Sequence, residues 1–457
     1  MQQKKRKAKG LRTDGPIAEG IVSSLHLGAP GCQVDVDGAR YSVNSAVPGD
    51  RVRVQSLMLR NKPEAARVLE VLEESELRVE PVCTVVHRCG GCTVQEMSYA
   101  EQLKQKHESL VKFLDGLVDA SNIHPVSGLS KPYGYRTRLL MPAAPRSRNG
   151  GVRFGFYGRG TTKLVEASGC PVQHPHTLAT VAMVEQALLG TKVTASEPHS
   201  DEGWLHGISV RVDPRSGQSE LCLSARDEDI PGGDSLVSRL TSLPGISGVH
   251  LSVNPQRSSY LFEHGFIRLG GSKRTAFHLG GQDFHLSPGA FFQTSAEGAE
   301  LLVEHALSMM PEQFDCLADV YGGVGVFARL SEKRWKRAVV IESNDTSIED
   351  LRSYLKNQKN LQIKAVSGRV EDRLGELERM TPDVVLLDPP RQGCHKNVLA
   401  RLADLRPAQI IYVACGIEAL ARDGAKLKEA GYGIKEVRSV DMFPHTTHLE
   451  VVADFRL

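Results

Sequence analysis

The chain lacks long hydrophobic runs: no segment approaches the roughly 20 consecutive apolar residues that a membrane helix needs. We therefore expect no membrane partner. The N-terminus is basic, but no apolar segment follows it, so we expect no secretory signal and a cytoplasmic protein. At 457 residues, with 40% hydrophobic and 24% charged residues, the composition is typical of a globular protein. The length predicts two or three domains.

The sequence also has almost no net charge, with 56 Lys and Arg against 54 Asp and Glu, so the total says little about partners. Acidic residues are missing locally, however, between Lys131 and Lys163. That stretch interleaves basic and aromatic side chains: Lys131, Arg136, Arg138, Arg146, Arg148, Arg153, Arg159 and Lys163 with Tyr133, Tyr135, Phe154, Phe156 and Tyr157. Such a composition favours a surface that pairs phosphates and stacks unpaired bases. The alternative is a solvated basic hairpin.

The predicted secondary structure differs between regions of the chain. Residues 14 to 76 alternate in short runs broken by turns, which predicts a small antiparallel β-barrel. Residues 99 to 117 carry apolar positions at helical spacing, and residues 125 to 290 read as short strands with few helices. From Ala299 onward strand and helix signals alternate, which predicts a parallel sheet. Its expected strands are Cys316–Val320, Ala338–Ile341, Ile363–Val366, Asp383–Leu387, Ile410–Ala414 and Val451–Phe455.

A glycine-rich turn follows the first of these strands. In Tyr321-Gly322-Gly323-Val324-Gly325 the glycines let the backbone approach a ligand closely. About twenty residues on, Glu342 ends the next expected strand, where it can accept from ribose hydroxyls. Turn and acid together favour a nucleoside cofactor, either a dinucleotide or S-adenosylmethionine. Without Gly-Lys-Ser/Thr, a Walker phosphate loop is excluded.

Three later segments place reactive side chains at strand ends. Asp388-Pro389-Pro390-Arg391 puts an acid and a cation at the rim of a pocket, because the prolines prevent helix continuation. Cys415 stands at the tip of the next strand, and a polar cluster ending in Glu450 precedes the last one. A strand-tip cysteine alone is more often a packing residue. On one sheet edge with an acid loop and a His/Glu loop, it is predicted to be a nucleophile.

Three cysteines lie close together, Cys83, Cys89 and Cys92, at the spacing Cys-x5-Cys-x2-Cys with glycines between them. This favours a metal or iron–sulfur site, and tetrahedral zinc stays open as the alternative. Cys170 is the candidate fourth ligand. The remaining cysteines have no such context and are expected to be buried core residues: Cys32, Cys222, Cys316 and Cys394.

Taken in order, these motifs resemble the TRAM-domain RNA 5-methyluridine methyltransferases, especially the iron–sulfur enzymes that modify 23S ribosomal RNA. The resemblance covers nearly the whole chain. It rests on the barrel, the segment Ser287-Pro288-Gly289-Ala290-Phe291-Phe292-Gln293, the glycine turn, the Asp-Pro-Pro-Arg segment, the cysteine followed by Leu420-Ala421-Arg422-Asp423, and the Phe-Pro-His-Thr-x-His-x-Glu ending.

The resemblance implies an α/β fold with three parts. A Rossmann-like class I methyltransferase sheet occupies residues 291–457, and an OB-like (TRAM) β-barrel occupies 14–76 behind a basic tail at 1–13. Between them, residues 77–290 form a β-rich central RNA-binding domain with an iron–sulfur site. Its helix at about 99–120 is expected to pack on the methyltransferase domain.

The resemblance also implies roles and partners. Cys415 is the expected nucleophile and Glu450 the base. The S-adenosylmethionine site is lined by Gln293, Tyr321, Glu342 and Asp388, and a [4Fe–4S] cluster is held by Cys83, Cys89, Cys92 and Cys170. The partner is RNA, ribosomal RNA in the first place and transfer RNA as the alternative, and we expect a monomer. Two rivals come from another class of protein: a catalytically silent RNA-binding or ribosome-assembly protein, and a zinc-dependent RNA-binding protein.

The chain departs from the family pattern near the nucleophile. It has Ala414-Cys415-Gly416-Ile417 where the family has Ser-Cys-Asn-Pro. In the glycine turn, Gly322-Gly323 replaces Cys-Gly. Val326 and Arg369 stand where the family has a polar residue and an Asn. These changes bear on the aim of the thiol and on cofactor affinity.

Overall fold

The chain builds a barrel, a central β-rich region and a C-terminal α/β sheet, in that order. The computed structural model describes residues 13–29, 31–59, 62–146, 151–196, 202–255, 261–262 and 265–457. Apart from Thr13, the basic tail lies outside the described residues, and so does Arg148. No helix in the described ranges is both long and apolar enough to cross a membrane.

The N-terminal part closes into a barrel of five described strands in the spatial order β1-β2-β3-β5-β4, which confirms the predicted barrel. Alternation builds it: Val22, Val34 and Val52 are buried inside, while Arg51 pairs with Glu19 at 3.0 Å on the outside. Neighbours are antiparallel except for one parallel contact between β3 and β5. The strands are β1 (Thr13–Leu25), β2 (Cys32–Val36), β3 (Ala39–Val43), β4 (Arg51–Leu59) and β5 (Lys62–Glu73).

Helix α1 (Tyr99–Phe113) ties the barrel to the C-terminal sheet. Ser98 caps it by accepting from the Glu101 N–H at 3.3 Å. Leu110 and the following Leu114 are fully buried in one continuous core that includes barrel residues and one face of the C-terminal sheet. The barrel therefore shares a core with the C-terminal sheet.

The central region is a seven-stranded described sheet in the order β12-β11-β10-β9-β6-β7-β8, covered by two helices. Two helices among nine described strands agree with the expectation of few helices between residues 125 and 290. The sequence did not locate them, because the apolar residues of α2 are spread around its circumference and α3 spans only nine residues. The elements are β6 (Arg138–Pro145), β7 (Val152–Tyr157), β8 (Leu164–Glu166), α2 (Pro175–Leu188), β9 (Leu205–Val212), β10 (Ser219–Ala225), α3 (Gly233–Thr241), β11 (Ile246–Val253) and β12 (Phe266–Gly271).

A separate hairpin follows, β13 (Thr275–Leu279) and β14 (Gln282–Leu286). The expected boundary at 291 leaves it with the central region. Its side chains Phe277 and Phe284, however, are buried with Ala299 and Leu302 in the second core of the C-terminal sheet. By packing, the C-terminal unit therefore begins at this hairpin.

The fully described C-terminal part forms a seven-stranded sheet in the order β17-β16-β15-β18-β19-β21-β20. The first five are parallel, as predicted. The expected parallel strand Val451–Phe455 is wrong in direction: β21 runs antiparallel to both its neighbours, β19 and β20, because a loop without a crossover helix joins β20 to β21. The elements are α4 (Ala296–Met309), β15 (Phe314–Val320), α5 (Val326–Leu330), β16 (Trp335–Glu342), α6 (Asp345–Leu355), β17 (Ile363–Ser367), α7 (Leu374–Met380), β18 (Val384–Leu387), α8 (Lys396–Leu405), β19 (Gln409–Ala414), α9 (Ile417–Glu429), β20 (Gly433–Val440) and β21 (Glu450–Arg456).

Candidate active site

Cys415 and Glu450 come next to each other across two neighbouring strands. β19 runs antiparallel to β21 with Ala414 opposite Val451. Cys415 follows Ala414 and Glu450 begins β21, so the next pair in this register is Cys415 with Glu450. Directly opposed residues of an antiparallel pair point to the same face with Cβ atoms about 5 Å apart. The structure thus brings together the two residues that were predicted to carry the chemistry.

Burial and neighbouring charges set the ionisation of this pair. Burial raises the pKa of Cys415 to about 11, with added repulsion from Glu450 and Asp388, and Arg391 opposes the shift. Burial also raises the pKa of Glu450 to about 8, with Asp388 adding and Arg391 opposing. Both groups are therefore mostly neutral near pH 7. A positive charge bound beside them would favour their ionised forms.

Three carboxylates, those of Asp319, Glu342 and Asp388, lie at the carboxyl ends of neighbouring strands on the same edge of the sheet. Burial and the charges of Asp319 and Glu342 raise the pKa of Asp388 to about 7. Burial, opposed by a backbone hydrogen bond and reinforced by Glu342, raises the pKa of Asp319 to about 7. Asp319 Oδ2 accepts from the Ala328 N–H at 3.1 Å, while buried Oδ1 has no hydrogen-bond partner among the described residues. Buried acids with raised pKa values at this edge favour a positively charged ligand beside them.

The glycine turn lies against these acids. Gly323 and Gly325 have positive φ angles of 56° and 74°, which glycine adopts at no steric cost. The Gly323 N–H donates to Glu342 Oε2 at 3.1 Å. A Cβ at Gly322 would lie 2.7 Å from the Asp319 carboxyl carbon. A side chain at 322, where the family has cysteine, would therefore displace the Asp319 carboxylate from this position.

Tyr321 reaches the Asp-Pro-Pro-Arg loop. Its backbone is left-handed, with φ 64°, and its hydroxyl accepts from the His395 N–H at 3.5 Å. The residue before His395 is held in turn: the Cys394 N–H donates to Asp423 Oδ2 at 2.7 Å, which also accepts from the Tyr412 hydroxyl at 2.8 Å. The loop after Asp388 is thereby fixed to the helix that follows Cys415.

Gln293 is placed by its backbone segment. The Ser287 N–H donates to Asp350 Oδ2 at 2.6 Å, and Asn344, just after Glu342, donates its amide to the Gly289 carbonyl at 3.2 Å. Gln293 is half-buried. Within the described part of the chain, no hydrogen bond joins its side chain to the other predicted cofactor residues. Phe291 in the same segment is 58% exposed.

Sequence reasoning singled out neither Asp319, near the end of β15, nor the exposed Phe291. Asp319 had a signal, because it is the acid of the Asp-x-x-Gly-Gly-x-Gly turn. Phe291 had none beyond its place in a family motif. Only the structure shows that this large aromatic side chain is exposed, as a stacking surface for an unpaired base must be.

The structure also groups the four predicted cysteine ligands. Burial raises the pKa of Cys92 to about 12, with further repulsion from Cys170, Cys89 and Cys83. Gln95 braces the loop: its Oε1 accepts from the Cys83 N–H at 2.7 Å and its Nε2 lies 3.5 Å from Cys92 Sγ. Among the described residues, no three Cys, His, Asp or Glu side chains are already arranged around one point as ligands of a metal ion.

Four other cysteines were predicted to be buried core residues. All four are buried, which confirms the interpretation of Cys32, Cys222, Cys316 and Cys394 as core residues. Cys394 lies beside Asp423 and Tyr412. Its exposed fraction is 8%, so it is buried and does not face the crevice.

Some basic residues of the stretch from Lys131 to Lys163 make contacts within the protein. Arg159 donates to Ser45 Oγ at 2.9 Å and to the Cys92 carbonyl at 3.0 Å. It therefore joins the barrel to the cysteine loop. Burial lowers the pKa of Arg138, and Arg146 pairs with Glu185 at 3.0 Å. Lys131 and Lys163 remain exposed.

Counted along the C-terminal part of the chain, the sheet order is 3-2-1-4-5-7-6. That order, with an acid-lined glycine turn at the carboxyl edge of the parallel strands, defines an α/β methyltransferase. Residues 276–453 match a family model described as tRNA (Uracil-5-)-methyltransferase. An uncharacterized RNA methyltransferase of Nostoc sp. is 30% identical over 416 residues, 90% of this chain and 90% of that protein. Another, from Halalkalibacterium halodurans, is 28% identical over 435 residues, 92% and 93% of the two chains.

The chain belongs to the RNA methyltransferases, and the part of it that matches the uracil-5-methyltransferase model is the C-terminal sheet with its preceding hairpin. Its fold is similar over nearly the whole chain to that of a solved structure, Pyrococcus abyssi tRNA (uracil-54, C5)-methyltransferase in complex with S-adenosyl-L-homocysteine. The TM-score is 0.73 at 24% identity, covering 96% of this chain and 100% of that one. The predicted combination of an N-terminal barrel with a methyltransferase sheet is thus confirmed.

Proposed function

We propose that this enzyme methylates C5 of a uridine in RNA, with ribosomal RNA as its preferred substrate. The observation that carries the proposal is the pairing of Cys415 with Glu450 at the carboxyl edge of the sheet. A nucleophile and a base on one face, beside an acid-lined crevice for a cationic cofactor, are what this reaction needs.

The pair divides the chemistry of the uracil ring. C5 of uracil is a poor nucleophile, so the Cys415 thiolate adds to C6 and converts the ring to an enolate. S-adenosylmethionine supplies the methyl group that C5 takes up. Glu450 then removes the C5 proton, the C5–C6 double bond re-forms and the thiolate leaves. Arg391, which lowers the pKa of both groups, is proposed to stabilise negative charge on a uracil carbonyl oxygen.

The acidic residues at this edge of the sheet match the positive charge of the cofactor. A sulfonium and an ammonium are cations, and the buried carboxylates of Asp319 and Asp388 have raised pKa values that bound positive charge would relieve. We propose that Glu342, Asp388 and Tyr321 hold it, with Gln293 at the rim. Glu342 already accepts the Gly323 and Asn344 N–H groups, which fixes the orientation of its carboxylate.

We further propose that Cys83, Cys89, Cys92 and Cys170 hold a [4Fe–4S] cluster. Four thiols that lie near one another in a partly buried place form a donor set for iron–sulfur ligation. Zinc is the alternative. Iron, sulfide and zinc assays on anaerobically purified protein decide between them, with Cys170→Ser as the variant that should lose the metal.

Ribosomal RNA is the first candidate substrate, since the barrel and the cysteine motif occur together. Transfer RNA is the second, because the Pyrococcus abyssi protein with the same fold is a tRNA (uracil-54, C5)-methyltransferase. A stacked uridine is out of reach of Cys415, so the enzyme must flip it out at a cost of a few kcal/mol. Mapping 5-methyluridine at every rRNA and tRNA position in wild-type and deletion strains identifies the target.

The chemistry itself is tested with RNA that contains 5-fluorouridine. Fluorine at C5 cannot leave as a proton, so addition and methylation should end in a stable protein–RNA adduct through Cys415. Cys415→Ser should form none. A folded protein that binds RNA and cofactor, yet forms no adduct with either class of RNA, would support the catalytically silent alternative.

A further inference from the structure

His445 is an unusual residue in the loop that leads to Glu450. Its backbone is left-handed, with φ 67°, a conformation that is uncommon for a residue with a Cβ and persists only where contacts over-determine it. The residue is also 2% exposed. Nothing in the proposed chemistry uses this side chain, so its place calls for another reason.

The backbone of His445 joins two parts of the molecule. Its carbonyl accepts from the N–H groups of Thr93 at 2.9 Å and Val94 at 3.2 Å, the two residues that follow Cys92. Its own N–H donates to Gln102 Oε1 on α1 at 2.8 Å. The cysteine loop is therefore bonded directly to the loop that carries the proposed base.

The imidazole is held on every side. Gln102 Nε2 donates to Nδ1 at 3.1 Å, and Nε2–H donates to the Pro132 carbonyl at 3.1 Å. The Tyr133 ring stacks on it with centroids 4.4 Å apart and 22° between the planes. Burial lowers the pKa of His445 to about 4, and Lys106 adds to this against the Pro132 hydrogen bond. The ring is thus neutral, with its proton on Nε2.

The rest of the loop has supporting contacts, but none to the cysteine segment among the described residues. The Tyr135 hydroxyl donates to the Pro444 carbonyl at 3.2 Å, and Thr447 Oγ1 donates to the Ala29 carbonyl at 2.8 Å. At the start of the loop, Asp441 pairs with Lys106 at 2.7 Å, both fully buried. The hydrogen bonds to the His445 carbonyl connect the cysteine segment to these contacts.

We propose that His445 is a positioning residue through which the cysteine segment at residues 83–94 sets the place of Glu450. The inference rests on the proposed function, since it assigns Glu450 to proton removal. The N–H groups of Thr93 and Val94 hold the His445 carbonyl, and the short stretch that follows carries Glu450 to the uracil ring. A metal group bound by Cys92 would hold Thr93 and Val94 in place, and this role needs no electron transfer.

The test separates a misplaced base from a damaged fold. Without the base, the methylated uridine stays attached to Cys415, so ordinary uridine RNA should accumulate a covalent adduct on a denaturing gel. Glu450→Gln is the reference for that block. His445→Ala should accumulate the adduct and lose about 100-fold in kcat, the cost of a 1 Å misplacement, with little change in KM for RNA. His445→Gly, which adopts φ 67° freely, should lose less.

A matched control is His206→Ala. His206 is 3% exposed and bonds Ser196 and the Asn254 carbonyl in the central sheet, away from the loop. It should turn over as wild type without adduct. The proposal is overturned if His445→Ala keeps its kcat, or loses activity through RNA binding with no adduct.

A second measurement stands apart from activity. Hydrogen exchange should rise at residues 93–94 and 446–450 in His445→Ala, and removal of iron from the wild type should raise it in the same 446–450 segment. In His445→Ala, iron removal should add little there. Unchanged exchange in these segments overturns the coupling. If wild type itself neither methylates nor traps RNA, the proposed function fails while the exchange result still decides the coupling.

Discussion

Gly416 lies directly against the Arg391 backbone: a Cβ built on Gly416 would stand 2.6 Å from the Arg391 carbonyl oxygen. Real Cβ atoms do not approach a carbonyl oxygen so closely. The residue after the nucleophile therefore determines how near the Asp-Pro-Pro-Arg loop can come to Cys415. The family's Asn at this position is replaced by the one residue that permits this approach, so the altered turn is compatible with a closed site.

Gly416→Ala is expected to lower kcat by about 100-fold, because the added methyl must push the Arg391 loop or the thiol by a large fraction of an ångström. Single-turnover methylation measures it. Gly375→Ala is the matched control: Gly375 is exposed in α7 and an added Cβ meets nothing within 4 Å, so activity should not change. Equal activity of both variants would contradict the contact.

Glu450→Gln is expected to stabilise the protein at high pH. The folded-state pKa of Glu450 is raised from 4.5 to about 8 by burial, so its contribution to stability is complete below pH 4.5 and is lost as pH rises through 8. Each pKa unit corresponds to about 1.4 kcal/mol. Urea unfolding should give equal stability near pH 4.5 and an advantage of several kcal/mol for the variant above pH 8.

The control for this pH series is Glu429→Gln, an exposed position on α9, where the difference from wild type should stay small at every pH. A stability gap between Glu450→Gln and wild type that does not depend on pH would contradict the burial of an ionisable carboxyl. Such a result would leave only a packing effect of the amide.

The C-terminal strands could be predicted because parallel strands buried on both faces read as apolar runs that end at Gly, Pro or Asp. Their carboxyl ends share an edge, so Asp388 and Cys415 could be placed together from sequence alone. Strand β20 (Gly433–Val440) escaped detection. It is an edge strand with charged residues such as Lys435 and Arg438, and it lacks an apolar run.

Contacts between distant segments could not be predicted. Arg159 looked like its basic neighbours, but its surroundings turn it toward the Cys92 carbonyl. His445 belongs to a recognisable motif, yet its bond to Thr93 depends on how the cysteine segment docks. Local sequence carries no information on either, because both depend on tertiary packing.

Asp423→Asn is expected to weaken both the fold and cofactor binding. One oxygen of Asp423 accepts from Tyr412 and the Cys394 N–H, and an amide in its place loses about 1.5–3 kcal/mol of charge-assisted hydrogen bonding. The loosened loop should also free Tyr321, which raises the Kd for S-adenosylmethionine in calorimetry. Tyr412→Phe removes one bond and should cost about 1 kcal/mol with little change in Kd. An unchanged Kd in Asp423→Asn would show that the loop is held by other contacts.

Two basic residues of the same stretch are expected to behave differently. Lys163 is exposed, so Lys163→Ala should flatten the dependence of RNA affinity on salt by about 0.7 to 0.9 in the log–log slope if it contacts one phosphate. Arg159 is committed to Ser45 and the Cys92 carbonyl, so Arg159→Ala should leave the slope unchanged and lower the iron content per protein. Fluorescence anisotropy over a salt series and an iron assay measure the two effects. The reverse pattern, a flatter slope with full iron content in Arg159→Ala, would place Arg159 on the RNA surface.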